Sequence, residues 1–292
     1  MKALIIVNTS SGRGRPESKL SQIMAELITK YSDIVICRTY HKPDAYEYTS
    51  HNLINCDLVI VIGGDGTVSD VVNAIADSQY NPTVAIIPTG TCNDVAHSLG
   101  LNGNITQLSQ LLAANSYIYH DIIQINNRYA VYGVAWGKFA STSFNTSQRS
   151  KKYIGRLSYL LNAAKDLTSD WSMCSKLTID NQSIDSKYCL ALLVNSRYVA
   201  GFEIDRYANV SDGKITLTLV PAIGKLADAK NIASIFVKGI SNTKSQSNTI
   251  SLRQLSTHFG TPINIVIDGE KYISDHINIS IVPKRIKFLS KK

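Results

Sequence analysis

Two neighbouring stretches decide the fold, LVIVIGGDGTVSDVVNAI at residues 58–75 and VAIIPTGTCND at residues 84–94. Each begins with a short apolar run and continues into a glycine-containing loop. Apolar runs without alternation are typical of parallel strands that are buried on both faces. The two stretches therefore predict two strands of a parallel sheet, each followed by a loop at the carboxyl edge, where open α/β sheets bind ligands.

The same alternation of strand and helix extends towards the N-terminus. Strands are predicted at residues 3–7 and 34–39, and amphipathic helices at residues 18–30 and 43–54. A helix also follows the first glycine loop, since apolar residues repeat there at helical spacing. This order predicts right-handed crossovers in a parallel sheet, which would bring the loop at residues 8–14 to the same edge as the glycine loops.

The first glycine loop has the residue types that suit an anion. Its glycines allow close approach of a phosphate to the backbone, and amides at the start of the next helix attract negative charge. Thr67 can donate a hydroxyl, whereas Asp65 would repel phosphate and is interpreted as holding a metal ion or orienting the loop amides. A tight turn with an Asx-type hydrogen bond is the alternative, and the second loop on a neighbouring strand favours nucleotide phosphate.

From about residue 117 the pattern changes to short strand-like segments. They are predicted at residues 117–125, 129–134, 176–179, 188–195, 214–219, 264–267 and 277–282, with helices at residues 154–167 and 225–237. Asn126-Asn127 and Asp180-Asn181 are hairpin-type turns. A run of strands after a run of βα units predicts two domains, with a boundary near residue 120.

Composition restricts the class of protein. The chain has 292 residues, 44% hydrophobic content and no apolar run near the ~20 residues that a membrane span needs. Five scattered cysteines without a CxxC pair favour reduced thiols in a cytosol. The net charge of +8 permits a nucleotide, nucleic acid or acidic membrane surface as partner. The densest basic group, at residues 284–292, predicts a solvated, disordered end.

The loops resemble those of a known family. IGGDGT at residues 62–67, followed by PTGTCND at residues 88–94, resembles the soluble diacylglycerol kinase-like lipid kinases. NAD kinases and phosphofructokinases share the first loop, whereas the Pro-x-Gly-Thr-x-Asn-Asp pattern belongs to the lipid kinases. Cys92 and Ala200 depart from the family, which usually has glycine at both places. Further matching segments follow the family's order: NTSSG at residues 8–12, NSRYVAGF at 195–202, SDGK at 211–214 and DGE at 268–270.

The resemblance implies a fold in two parts. Residues 1–120 are expected to form a Rossmann-like, phosphofructokinase-like parallel α/β domain that binds nucleotide. Residues 121–292 are expected to form a β-sandwich domain that receives a lipid substrate, and the last residues can pack back on the first domain. The corresponding contacts to ATP would come from Asn8, Gly12, Thr39, Gly63, Gly64, Asp65, Gly66, Thr67 and Thr91.

The resemblance also implies catalytic residues. Glu270 of the DGE segment stands where the family has its proposed base, and a carboxylate can accept the proton of an alcohol during phosphoryl transfer. Asp65 and Asp94 complete the implied catalytic set. From residue types alone, DGE could equally be an ordinary turn.

A magnesium site is implied at the loop before a later strand. Asp212 matches the family's ligand, and the backbone carbonyls of Asn209 and Lys214 match by offset. Hard oxygen ligands suit Mg²⁺, although this composition is also that of a simple turn. A second Mg²⁺ is expected to accompany the nucleotide.

The resemblance thus predicts an ATP-dependent lipid kinase with diacylglycerol as the leading acceptor and phosphatidic acid as the product. The alternatives are an NAD kinase-like enzyme, or a non-catalytic binding protein on a kinase scaffold. The expected partner is a lipid at a membrane surface rather than nucleic acid, and a homodimer is allowed. The expected location is cytoplasmic and peripheral at the inner face of the membrane. The segment at residues 149–161 could rest on that membrane or pack on the core.

Overall fold

The computed structural model describes residues 1–10, 16–137, 172–240 and 248–291. The chain divides into two compact units. The first unit comprises Met1–Ile122 and Pro283–Lys292, and the second comprises Ile123–Val282. The first is built on parallel strands with helices between them, and the second is rich in antiparallel strands. The prediction of mixed α/β content with many strands is confirmed at this level.

The first unit is organised around four parallel strands. These are β1 (Lys2–Asn8), β2 (Asp33–Thr39), β3 (Cys56–Gly63) and β4 (Thr83–Pro88), in the order β2-β1-β3-β4. The helices are α1 (Pro16–Leu27), α2 (Asp44–Asn52), α3 (Asp65–Ala76), α4 (Asp94–Ser98) and α5 (Ile105–Ala113). Helix α1 packs against α5, and α2 packs against α3. The central strands are buried on both faces, which is why their sequences are apolar without alternation.

The C-terminal end is ordered, and the prediction of a solvated, disordered tail was wrong. The last part of β15 (Glu270–Leu289) adds to the parallel sheet, where Lys287 and Phe288 pair with residues of β4. The Arg285 guanidinium donates to the carbonyl oxygens of Ile75, Ala76, Ser78 and Tyr80. Arginine satisfies the carbonyls that a helix leaves open at its C-terminal end, so a basic residue belongs here.

The second unit contains antiparallel strands. They are β6 (Arg128–Ala130), β7 (Gly133–Trp136), β8 (Met173–Ile179), β9 (Gln182–Val194), β10 (Tyr198–Val199), β11 (Phe202–Glu203), β12 (Ile215–Pro221), β13 (Asn248–Leu252), β14 (Gln254–Ile267) and the first part of β15. The strand β5 (Tyr117–Ile125) ends in this unit and pairs with β6. The sheet order is β13-β12-β9-β7-β14-β15, and β8 pairs with β9 and β14.

One predicted strand is two strands in the structure. Residues 129–134 were expected to be continuous, but β6 ends at Ala130 and β7 begins at Gly133. The intervening amides of Val131 and Tyr132 donate to the carboxylate of Asp268 instead of to the carbonyl groups of a neighbouring strand. Regular pairing stops here because this carboxylate takes the donors that a ladder would use.

Helix α6 (Lys225–Lys238) covers one part of the second unit. It packs on a core cluster that includes residues of β9 and β12, such as Leu192 and Val220. A second cluster contains Trp136 and Tyr188, whose indole N–H and hydroxyl are hydrogen-bonded at 3.0 Å. Within the described ranges, no helix is both long and apolar enough to span a bilayer. The helix predicted at residues 154–167 and the segment predicted at residues 149–161 both lie outside those ranges.

Candidate active site

A cavity of about 300 Å³ lies at the carboxyl ends of the parallel strands in the first unit. Residues predicted to bind nucleotide line it, namely Asn8, Thr39, Gly64, Gly66 and Thr67. It is also lined by residues that the sequence analysis missed: Ser10, Tyr40, His41, Lys42, Ala45 and Asp70. Most of these follow β2 directly after Thr39, so their position at the sheet edge was the available signal.

The N-terminal end of α3 forms one wall of this cavity. Gly64 is the N-cap residue, and Gly66 and Thr67 lie in the first turn. Because Gly64 has no side chain, it cannot itself cap the first amides of the helix. These amides and the helix dipole make this wall suited to the phosphates of a nucleotide.

Asn8 connects this wall to the end of β1. Its Nδ2 donates to the Thr67 hydroxyl at 2.8 Å, and its Oδ1 accepts from the amide of Ser10 at 3.0 Å. The Thr9 hydroxyl donates to the carbonyl of Thr39 at 3.0 Å. The ends of β1 and β2 and the first turn of α3 are therefore tied together by side chains whose types were visible in the sequence.

The opposite wall is the loop after β2. The Asp44 carboxylate accepts from the amides of Tyr40 and His41 at 2.8 and 2.9 Å. The Tyr40 amide, and then the His41 amide, lower the pKa of Asp44, which keeps this acceptor ionised. The loop is thus held in the conformation that brings His41 and Lys42 to the cavity, where the Lys42 ammonium group favours an anionic ligand.

The two glycine loops contact each other backbone to backbone. A Cβ on Gly90 would lie 2.7 Å from the Cα of Gly64, so any side chain there would push the loops apart. The Asn93 side chain accepts from the Gly90 amide at 2.9 Å and donates to its carbonyl at 3.0 Å. Asn93 also has a positive φ of 54°, which asparagine tolerates well. The second motif therefore requires both glycine and asparagine for physical reasons.

Asp65 is directed at the second loop. Its Oδ1 accepts from the amide of Val95 at 3.3 Å, in the first turn of α4. Burial raises the pKa of Asp65, while hydrogen bonds from the backbone of Val95, Asn93 and Asp94 oppose the increase. Asn93 makes no capping bond of its own to α4, so Asp65 provides one from the neighbouring loop. This corresponds to the interpretation that Asp65 orients loop amides.

The remaining predicted residues of the first unit differ in position. Gly63 lies behind the cavity, where a Cβ would meet the Thr67 side chain at 2.7 Å. Asp94 begins α4 and is 1% exposed, whereas Thr91 is exposed and is not among the residues that line the cavity. Gly12 lies outside the described residues.

In the second unit, Glu270 follows a tight hairpin turn. Asp268 and Gly269 have φ values of 46° and 80°, and Ile267 pairs with Glu270 across the turn. The buried Asp268 carboxylate accepts three backbone amides, from Val131 at 2.7 Å and from Tyr132 and Gly133 at 3.1 Å each. The aspartate of DGE therefore fixes the turn, and it presents the half-buried Glu270 at the start of β15.

The predicted magnesium loop contains one exposed carboxylate. Asp212 Oδ1 accepts from the amide of Lys214 at 3.0 Å, and Asn209 Oδ1 accepts from the amide of Ser211 at 3.1 Å. No cluster of three or more acidic, histidine or cysteine side chains occurs in the described part of the chain. A metal here would be held by one carboxylate, backbone carbonyls and water, a donor set that fits Mg²⁺ better than a transition metal.

This arrangement corresponds to a defined class of protein. The family model described as diacylglycerol kinase catalytic domain matches residues 2–125, which include both glycine loops and the cavity. The predicted resemblance to the diacylglycerol kinase-like lipid kinases is thereby confirmed for this part of the chain.

Relatives with similar sequences carry related names. A protein named "Putative lipid kinase" from Staphylococcus aureus (strain Mu3 / ATCC 700698) is 25% identical over 297 residues, covering 97% of this chain and 92% of its own. A putative lipid kinase of Staphylococcus haemolyticus (strain JCSC1435) is 26% identical over 253 residues, covering 84% and 78%.

Two solved structures have a similar fold. The crystal structure of a putative diacylglycerol kinase from Bacillus anthracis str. Sterne has a TM-score of 0.85 at 25% identity, covering 99% of this chain and 95% of that one. Another from the same organism has a TM-score of 0.83 at 24% identity and supports the fold alone.

Proposed function

We propose that this protein is an ATP-dependent lipid kinase that transfers the γ-phosphoryl group of ATP to a lipid hydroxyl. Diacylglycerol is the leading acceptor, and phosphatidic acid would be the product. The observation that carries the proposal is the cavity at the N-terminal end of α3, which is lined by the glycine-containing first turn of that helix and by Lys42. The names of the relatives support the lipid acceptor.

The donor side of the reaction is supported by the residues around this cavity. Phosphoryl transfer needs positioning and charge stabilisation more than covalent chemistry from the protein. Gly64, Gly66 and Thr67 would hold the phosphates through backbone and hydroxyl groups, and Lys42 would offset their charge. Asp65 would act indirectly by holding the second loop against the first.

Glu270 is proposed as the base that accepts the proton of the acceptor alcohol. The alcohol oxygen would form a bond to the γ-phosphorus while the bond from that phosphorus to the β–γ bridging oxygen breaks. ADP leaves with the electron pair, and the proton moves to the Glu270 carboxylate. The three amides on Asp268 support this role, since they hold the backbone next to Glu270 in one conformation.

The loop of Asn209, Asp212 and Lys214 is proposed to hold Mg²⁺. Magnesium there would supply fixed positive charge and rigidity to the loop. A titration of phosphoryl transfer against Mg²⁺, comparing wild type with Asp212→Asn, tests this part, and equal Mg²⁺ dependence in both would exclude it.

The proposal also includes the domain types, the cellular location and the oligomeric state that were expected from the sequence. These are a phosphofructokinase-like nucleotide domain, a β-sandwich substrate domain, and a cytoplasmic enzyme that works at the inner membrane face as a monomer or homodimer. The Pro-x-Gly-Thr-x-Asn-Asp pattern of the second loop favours the lipid kinase over the NAD kinase interpretation, and the assay below includes NAD as an alternative acceptor.

The test is transfer of labelled γ-phosphate from ATP to diacylglycerol and to extracted total lipid in mixed micelles. The matched variant is Gly90→Val, because a side chain there must separate the two glycine loops. We expect labelled lipid with wild type, and loss of both labelling and ATP binding in the variant. Labelling of NAD but not lipid in a parallel reaction would overturn the proposal, as would ATP binding without transfer to either.

A further inference from the structure

Helix α6 is apolar on two opposite faces. Ile232 and Ile235 on one face are buried in the core of the second unit. The opposite face, at helical spacing, carries Leu226, Lys230, Ala233 and Val237. Exposed aliphatic side chains grouped on one helix face, beside a cationic side chain, are typical of a surface that contacts a partner.

The outer aliphatic side chains are unusually exposed. Leu226 is 82% exposed and Val237 is 74% exposed, and Ile223, just before the helix, is 61% exposed. The buried Asp228 carboxylate accepts from the amides of Ile223 and Gly224 at 2.9 and 3.2 Å. These two hydrogen bonds fix the backbone of the turn before the helix. Ile223 is therefore exposed in an ordered turn and not at a frayed helix end.

A cavity of about 670 Å³ adjoins the C-terminal end of this face. Its walls include Phe202 and Phe236, whose rings are 5.6 Å apart in an edge-to-face arrangement. Arg206, Lys238 and Glu203 also line it. The combination of aromatic and aliphatic side chains with cationic side chains is suited to an amphipathic anion.

The charge of this surface is positive. Glu203 is paired with Arg197 at 2.5 Å and with Arg206 at 3.3 Å, and hydrogen bonds from these arginines lower its pKa. One carboxylate is therefore shared by two guanidinium groups, and Lys230 adds an exposed cation on the helix itself. The positive balance selects anionic partners over neutral ones.

We propose that the α6 face, defined as Ile223, Leu226, Lys230 and Val237, docks this protein on an anionic lipid bilayer. The aliphatic side chains would enter the headgroup region, and Lys230 would reach the lipid phosphates. A second copy fits less well, because a two-fold interface on this face would bring its cations against themselves. The inference rests on the proposed lipid kinase function, for which it names the surface that meets the membrane.

The test is co-sedimentation with vesicles of phosphatidylcholine alone and of phosphatidylcholine with phosphatidylglycerol. The variant is Leu226→Glu with Val237→Glu, and the control is Ile54→Glu, a residue of similar exposure (59%) in the first unit. We expect wild type to bind the anionic vesicles and the double variant to bind about tenfold more weakly. The control should bind like wild type.

Two further measurements keep the inference distinct from the proposed function. Kinase activity on a dispersed short-chain diacylglycerol should be unchanged in the double variant, while activity on vesicles falls. Equal vesicle binding by variant and wild type would overturn the docking surface and leave the kinase function intact. Vesicle binding by wild type through this face, without kinase activity, would support the docking surface and overturn the proposed kinase function. If the double variant had a lower mass than wild type in sedimentation equilibrium but bound vesicles equally well, the face would instead be an interface with a second copy, and the inference would be overturned.

Discussion

The second unit contains the same dipeptide twice, in Asp212-Gly213-Lys214 and in Asp268-Gly269-Glu270, with opposite surroundings. Asp268 is 4% exposed, and its carboxylate accepts three backbone amides from a distant segment. Asp212 is exposed and accepts one amide, that of Lys214 two residues later. Asp268 therefore holds distant segments of the chain together, whereas Asp212 is available to a ligand. Identical local sequence therefore does not determine which role an aspartate has.

The largest effect should come from Glu270, the residue that follows the buried Asp-Gly pair. Replacing Glu270 with glutamine removes the proposed base while keeping the size of the side chain. We expect kcat for phosphoryl transfer to fall about 10³-fold, with unfolding unchanged. Steady-state kinetics with Lys214→Gln as the matched control measures this. A comparable fall in the control, or full activity in Glu270→Gln, would contradict the assignment of the base.

The next effect separates the two aspartates by stability. Asp268→Ala would leave three buried amides without an acceptor, and we expect the free energy of unfolding to fall by roughly 3–4 kcal/mol. Asp212→Ala removes one exposed acceptor and should change it by no more than about 0.5 kcal/mol. Urea denaturation followed by circular dichroism compares them. Similar losses in the two variants would show that the difference in burial has no energetic consequence.

His120 is another buried polar group, and burial disfavours the charged form of its side chain. Burial lowers its pKa from 6.5 to about 4, although a hydrogen bond to the Asp121 carbonyl opposes the shift. The unfolded chain therefore takes up a proton first as the pH falls. The free energy of unfolding is therefore not reduced by His120 above about pH 6.5. It falls by roughly 3 kcal/mol as the pH decreases to about 4.

Denaturation curves between pH 4 and 7 measure this effect. His120→Phe should remove this part of the pH dependence, since a phenyl ring can still pack edge-on against Phe288. An unchanged slope in the variant would assign the acid sensitivity to other groups.

The smallest effect concerns a turn with the backbone conformation of Asp268-Gly269. Ala200 and Gly201 have φ values of 53° and 79°, and Val199 pairs with Phe202 across them. Alanine is strained at positive φ, and unlike Asp268 it has no side-chain hydrogen bond to offset the strain. We expect Ala200→Gly to raise the free energy of unfolding by about 1 kcal/mol. Thermal unfolding measures the change, and a lower melting temperature would show that the strain is absent.

Much of the first unit could be predicted because its signals are local. The buried strands, the glycine loops and Thr67 followed from short patterns, whereas Asn8 and Thr39 followed from the resemblance to the lipid kinases. The loop after β2 was missed because its residues have no common type and reach the cavity only through the bonds to Asp44. The tail was wrongly predicted as disordered because charge alone does not reveal that Arg285 binds the carbonyls after α3.

The sequence by itself determined the order of strands and helices, the two facing glycine loops and the class of kinase that they resemble. These features depend on spacing within a few residues, where backbone preference and side-chain periodicity are sufficient. The tertiary structure alone decided which carboxylates are buried, and thus which are structural. Asp268 bonds to an amide 137 residues away in the chain, and no local pattern encodes a hydrogen bond between such distant segments.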